Sequence, residues 1–216
     1  MAGQVPERSP LVIAAALRVE ALALRGAVPG ARLLRTGMGP RRAAAAAAAV
    51  ARSGGDRALA VAGLCAGLDP KMRPGDVVVA SEVRGPDGTL ACDGADLLVA
   101  ALQRRGLRAY LGPLVSVDHL VRGQERARLL ATGAIAADME SAFLAGAVLR
   151  GGRLVVLRVV LDAPGRELKR PGLAAAVARS LRVLRRSAPA LHDWSVGNAT
   201  SMQSASRNAM IPKEVT

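Results

Sequence analysis

The chain has 216 residues, 51% of them hydrophobic, which fits one medium domain with its own core and excludes disorder over most of the length. Aromatic residues make up 1% (Phe143, Tyr110 and Trp194), so the core is built from Ala, Val and Leu and a ligand pocket has few rings to offer. The formal net charge of +13 is carried mostly by Arg; with no Lys/Arg run longer than two and no aromatic platforms, a nucleic-acid partner is not expected, while a weak attraction to anionic lipid fits.

In chain order, residues 1–10 are polar, contain Pro and lack an apolar leader segment, and they read as a flexible N-terminus. Residues 11–16 form a short apolar run suited to a buried strand, and 17–24 have helical composition. A second strand is expected over 31–36, broken by Gly37-Met38-Gly39-Pro40. Pro40 suits a first helical turn, and the seven alanines at 43–49 suit a helix packed closely on a sheet. A strand over 58–62 ends at Gly63-Leu64-Cys65-Ala66-Gly67-Leu68, and Pro74-Gly75-Asp76 turns into a β run over 77–83. Residues 93–105 read as a helix stopped by Gly106, 109–117 as a strand with a Gly-Pro break, and 122–131 as a helix ended by Gly133. A short strand over 134–138 feeds a helix over 140–149; 153–161 is a strong strand, ended by Asp162-Ala163-Pro164-Gly165; 173–186 is helical. Residues 11–194 thus form the domain, and 195–216, aperiodic in Asn, Ser, Met and Lys, read as a disordered tail.

Strands alternating with helices predict an α/β domain: a mixed, largely parallel central sheet between helix layers, a three-layer α/β/α sandwich. Sites in such folds lie at the carboxyl ends of strands. Glu20, Gly37 and Gly39, Gly63 and Gly67, the segment Asp138-Met139-Glu140, and Asp162 all fall just after predicted strands. Ala137-Asp138-Met139-Glu140-Ser141-Ala142-Phe143-Leu144 is the most informative stretch, because two carboxylates head an apolar segment and such groups are seldom buried without partners. Cys65 and Cys92 have neither metal-ligand nor disulfide-scaffold spacing. No metal or cofactor is expected, and a reducing cytoplasm is the expected compartment.

Five features in this order resemble the purine nucleoside phosphorylase and methylthioadenosine/adenosylhomocysteine nucleosidase superfamily. They are Ala14-Ala15-Ala16 with Glu20, the Thr36-Gly37-Met38-Gly39 turn, the 63–68 glycine segment leading to Pro74-Gly75-Asp76-Val77-Val78-Val79, Asp138-Met139-Glu140, and Arg158-Val159-Val160-Leu161-Asp162. Thr132-Gly133-Ala134 followed by Ala137-Asp138-Met139-Glu140-Ser141 is most similar to the hopanoid-associated branch, the adenosylhopane nucleosidases often labelled phosphorylases. The resemblance spans residues 11–186.

The resemblance implies N-glycosidic cleavage through an oxocarbenium-like sugar. Asp162 matches the general acid to purine N7, which needs a water-poor pocket to keep its proton; alone, Asp-Ala-Pro-Gly is also good turn chemistry. Glu140 matches the carboxylate that holds ribose hydroxyls and favours a cationic transition state, or else a helix first-turn acid. Met139 packs on ribose, or simply fills core. Glu20 matches the base that activates water, or lies on a solvated helix face. Asp138 reads as a helix N-cap. Gly37 and Gly39 allow close backbone approach to an anion or sugar, or form a tight turn; Gly63 and Gly67 allow approach to base and sugar, with Cys65 and Ala66 lining the pocket. Asp118 and His119, in Ser116-Val117-Asp118-His119, fall where the family contacts ribose or its 5′ substituent; a lone His is more often structural.

Two departures stand out. Leu161 occupies the place of the family's frequent Ser before the acid, and no purine-stacking aromatic precedes Thr132. Glu20 would repel phosphate and suit water, whereas Arg41 and Arg42 keep phosphorolysis open; hydrolysis is the expectation. The expected partner is a small-molecule nucleoside, an adenosine with a large apolar 5′ group, lipid-linked and met by peripheral contact at the inner membrane face. Soluble nucleosides (methylthioadenosine, futalosine, inosine) are the alternative, and a basic nucleic-acid-binding module without catalysis is the alternative of another class. The resemblance also implies a homo-oligomer in which a neighbouring subunit contributes to the pocket.

Overall fold

The computed structural model describes residues 11–52, 58–148, 152–167 and 172–209, with side chains described as far as residue 196. The N-terminal segment 1–10 lies outside the described residues. The strands are β1 (Val12–Ala15), β2 (Arg32–Arg35), β3 (Ala58–Gly67), β4 (Val77–Gly85), β5 (Gly88–Ala91), β6 (Ala109–Ser116), β7 (Ala136–Asp138) and β8 (Arg153–Asp162). The helices are α1 (Arg18–Leu24), α2 (Pro40–Arg52), α3 (Ala95–Arg104), α4 (Gln124–Ala131), α5 (Ser141–Ala145) and α6 (Leu173–Ala209).

Alternation along each central strand sorts the core into two faces. Ile13, Ala60, Val79 and Leu157 join Leu24, Leu98, Leu184 and Trp194 beneath α1, α3 and α6. Val12, Ala14, Leu59, Val61, Val78 and Val156 join Ala43 and Leu144 beneath α2 and α5. Both faces are covered, so the strands read as continuous apolar runs rather than as alternating ones. Of the seven consecutive alanines, Ala43 and Ala47 are buried, one helical turn apart, which lets α2 sit close to the sheet.

The sheet is mixed. The pairs β1–β2, β1–β3, β3–β8, β4–β6 and β6–β7 are parallel; β3–β7, β4–β5 and β4–β8 are antiparallel. Pairing runs from β3 to β8, β4, β6, β7 and back to β3, so five strands close a ring, with β1 and β2 extending from β3 and β5 from β4. The ring gathers the carboxyl ends of β3, β6, β7 and β8 around one opening.

Several elements differ from expectation. The strand expected to stop at residue 62 runs to Gly67, because residues 63–66 pair with β8 and residues 66–67 with β7. The glycine segment is therefore strand, not loop. The hairpin strand β5 was not anticipated. The helix expected over 140–149 ends at Ala145 and passes into a 3-10 turn over Gly146–Val148. The last helix passes residue 186 and continues to Ala209, into the segment expected as a disordered tail. Pro189 does not break it, and residues 195–209 hold no further proline.

Candidate active site

At the strand ends lies a cavity of about 540 Å³. Glu20, Cys65, Ala66, His119, Met139, Glu140 and Asp162 all line it. Apolar walls come from Leu17, Leu64, Val117, Val121 and Leu161. At its edge stand Met38 and Leu120, 51% and 64% exposed.

Glu20 lies in the first turn of α1 and is 2% exposed, so it is not on a solvated helix face. Its Oε2 accepts the Leu17 amide at 2.7 Å, a reach-back that closes its own helix. Its Oε1 accepts the Leu64 amide on β3 at 2.8 Å, which ties the end of β1 to β3. Gly63 makes this approach possible: a Cβ there would lie 2.6 Å from Arg158 Nη1 and 2.7 Å from Glu20 Oε1. Gly63 thus admits the charged side chains beside it, where its expected part was approach to base and sugar.

Arg158 is the residue that sequence reasoning passed over. It sits mid-strand in an apolar run, on the face where alternation calls for another aliphatic side chain, and is 1% exposed. Its Nη2 meets Asp138 Oδ2 at 2.5 Å and Glu140 Oε2 at 3.6 Å, and it donates to Ser141 Oγ at 3.0 Å. A buried guanidinium in a strand is itself a signal for buried carboxylates. Asp138 is fully committed: Oδ1 accepts from Ser116 Oγ at 2.5 Å and from the Glu140 and Ser141 amides, and Oδ2 accepts from the Ser141 hydroxyl. The N-cap of α5 is Glu140, not Asp138 as expected; Asp138 ends β7 and, from two residues before the cap, takes amides at the start of the helix and serves as counter-ion to Arg158.

Glu140 keeps more freedom. Its Oε1 accepts the Gly39 amide at 3.0 Å, which joins the glycine turn to the start of α5. Burial pushes its carboxyl above the usual range; Arg158 opposes this and Asp138 adds to it. Gly37 and Gly39, at φ +87° and +94°, hold the turn that presents Met38 to the cavity; neither is among the lining residues. Gly67 also lies behind the wall, packed on Val160, Met72 and Ala163.

At a second polar position Asp162 Oδ2 accepts from Arg126 Nη2 at 2.6 Å, and Arg126 Nη1 donates to the Gly67 carbonyl at 3.1 Å. A register shift sets Ala66 opposite Asp162 while Cys65 pairs with Val160, so Leu161 is the extra residue. This bulge lets consecutive Leu161 and Asp162 both line the cavity. Cys65 senses both polar groups, and burial pushes its thiol well above the ordinary range, so it is an inert wall.

His119 reaches the cavity edge, but both its ring nitrogens are engaged, Nδ1 by Asp118 and Nε2 by Glu125, each at 2.7 Å. Asp118 is exposed and outside the lining. Arg41 and Arg42 are exposed on α2 and line no part of the cavity. Among the described residues no group of three or more His, Cys, Asp and Glu could hold a metal ion, and no helix is long and apolar enough to cross a membrane.

A family model described as the phosphorylase superfamily matches residues 24–189. No curated protein matches the chain in sequence. Among solved structures, futalosine hydrolase of Helicobacter pylori shares 16% identity at a TM-score of 0.72, covering 86% of this chain and 98% of its own. A mutant 5′-methylthioadenosine/S-adenosylhomocysteine nucleosidase of the same organism, with 5′-methylthioadenosine in its active site, shares 15% at 0.71, covering 88% and 99%. The corresponding nucleosidase of Neisseria meningitidis, in complex with methylthio-immucillin-A, shares 20% at 0.67, covering 87% and 98%.

Proposed function

The chain belongs to the phosphorylase superfamily, and we propose that it hydrolyses the N-glycosidic bond of a 5′-substituted adenosine, adenosylhopane first among candidates, to release adenine. The observation that carries this reading is that Glu20, Glu140 and Asp162 line one cavity with apolar walls. As the C–N bond breaks, its electron pair goes to the base and Asp162 delivers a proton to N7. The sugar becomes oxocarbenium-like; Glu140 binds its hydroxyls and its negative charge favours the cation, with Met139 packed alongside. Water attacks the anomeric carbon and gives its proton to Glu20.

Water is favoured over phosphate by three features. Glu20 is a buried carboxylate, the Gly39 amide is already taken by Glu140, and of the nearby arginines Arg41 and Arg42 stand outside the cavity while Arg126, which lines it together with the exposed Arg122, is engaged by Asp162 and the Gly67 carbonyl. The aliphatic walls and the exposed Met38 and Leu120 favour an apolar 5′ group, and with the basic surface they support peripheral contact with an anionic membrane. By the family resemblance the working unit is a homo-oligomer, with a neighbouring subunit completing the pocket.

The test is adenine release from adenosylhopane, methylthioadenosine, futalosine and inosine, each with and without phosphate. Activity on the lipid nucleoside without phosphate is expected. Strict phosphate dependence overturns hydrolysis; preference for a small soluble nucleoside overturns the lipid assignment in favour of the second reading, which the fold likeness to a futalosine hydrolase and to methylthioadenosine nucleosidases supports. Liposome flotation at low salt tests the membrane contact.

A further inference from the structure

Helix α4 is built in an unusual way. An amphipathic helix buries an apolar stripe, yet the one buried residue of α4 is Arg126, 3% exposed. Burying a guanidinium is costly unless it is paired, so this arginine is held by what it meets. It meets Asp162 on β8 and the Gly67 carbonyl on β3, the strands on either side of the bulge. Its Nε is buried without a partner.

We propose that Arg126 is the positioning residue of the leaving-group chemistry: it fixes the Asp162 carboxyl through Oδ2 so that Oδ1 faces the departing base. This rests on the function proposed above. Oδ2 is occupied by Nη2, and among the described residues no hydrogen bond reaches Oδ1. The second anchor, on Gly67, prevents the guanidinium from swinging with its partner. During cleavage the proton leaves Oδ1 for the base nitrogen as the C–N pair passes to the base. The negative charge left on Asp162 then lies against the guanidinium, where it is stabilised most as the bond breaks. Leu161 offers no hydroxyl to orient Asp162, and Arg126 supplies that restraint from a different element.

The experiment compares wild type, Arg126→Gln, Arg126→Lys and Asp162→Asn on two substrates. One is the nucleoside turned over by wild type; the other is 4-nitrophenyl riboside, whose leaving group departs as a stable anion without a proton. Arg126→Gln should lower kcat on the nucleoside about 30- to 100-fold, inside the range of general-acid effects, with KM changed less than about threefold. On 4-nitrophenyl riboside it should stay within about threefold of wild type. Arg126→Lys, which keeps a charge for Asp162, should recover about tenfold of the loss. Thermal melting checks that each variant is folded. If Arg126→Gln loses both substrates equally, Arg126 merely holds α4 in place, and the proposal is overturned; retained activity on both overturns it as well. If instead wild type releases no base from any nucleoside, or Asp162→Asn is fully active, the functional reading itself has failed.

Discussion

Replacing Gly63 by Ala tests the charged cluster with one methyl group. Gly63 is paired in register with Arg158, and its backbone is not in the left-handed region, so alanine brings no backbone strain. Its Cβ would lie 2.6 Å from Arg158 Nη1, 2.7 Å from Glu20 Oε1 and 2.9 Å from Glu20 Cδ. Ordinary contact needs roughly another 1 Å. Arg158 cannot retreat without lengthening its contacts to Asp138 and Ser141, and Glu20 cannot retreat without releasing the Leu64 amide. Overpacking costs about 1–3 kcal/mol and a weakened charge-assisted hydrogen bond about another 1.5 kcal/mol, so a loss of about 3–4 kcal/mol is expected. With Glu20 displaced, turnover should fall about 100-fold. Gly67→Ala is the control: its Cβ would meet Val160, Met72 and Ala163 side chains at 3.1–3.4 Å, which cost about 1 kcal/mol at most. Urea unfolding and adenine release measure both variants. A Gly63→Ala protein within about 1 kcal/mol and twofold of wild type would show that the cluster is not as tightly held as its geometry requires.

Arg158→Met should destabilise by about 3–5 kcal/mol, because Asp138 and Glu140 lose their buried counter-charge; a loss below about 1 kcal/mol in urea unfolding would refute that role of Arg158. Glu20→Gln keeps the shape but not the base, so kcat should drop about 100-fold or more with KM little changed; an unaltered kcat would remove Glu20 from the chemistry. Hydrogen bonds to the Asp118 and Glu125 carboxylates raise the His119 pKa above the ordinary histidine value. The stability linked to this pair is therefore present below the unfolded-state pKa and lost as pH rises through the raised folded value. NMR titration should place the imidazole midpoint above that of a free histidine and show it falling in Glu125→Gln; a midpoint unmoved by that change would dissolve the pair.

The layered fold was legible because strands covered on both faces write long apolar runs, and β1, β4 and β8 stand where those runs predict. The extent of β3 was not, since Gly63 and Gly67 read as turn residues when only tertiary pairing shows that they lie in a strand. Asp138, Met139 and Glu140 announced themselves as carboxylates heading an apolar segment. Arg158 gave a signal that propensity ignores, a cation inside an aliphatic strand. Arg126 gave none, because one arginine in an arginine-rich helix looks like any other until its neighbours across the fold are known.

The charge count of the cluster bears on which step it serves. Glu20, Asp138 and Glu140 are all buried around a single buried guanidinium, so three carboxylates share one fixed cation. Asp138 takes the closest contact to Arg158, and Glu140 is left at 3.6 Å with its pKa raised by burial. The free site is thus short of positive charge at the position of Glu140. A neutral nucleoside does not supply it, whereas an oxocarbenium-like sugar does, and only while the bond to the base is breaking. Stabilisation that arises only at that moment lowers the barrier without tightening the ground state. In the function proposed above, the same imbalance disfavours an incoming phosphate dianion, so one arrangement of charge would serve both the cationic transition state and the choice of water as nucleophile.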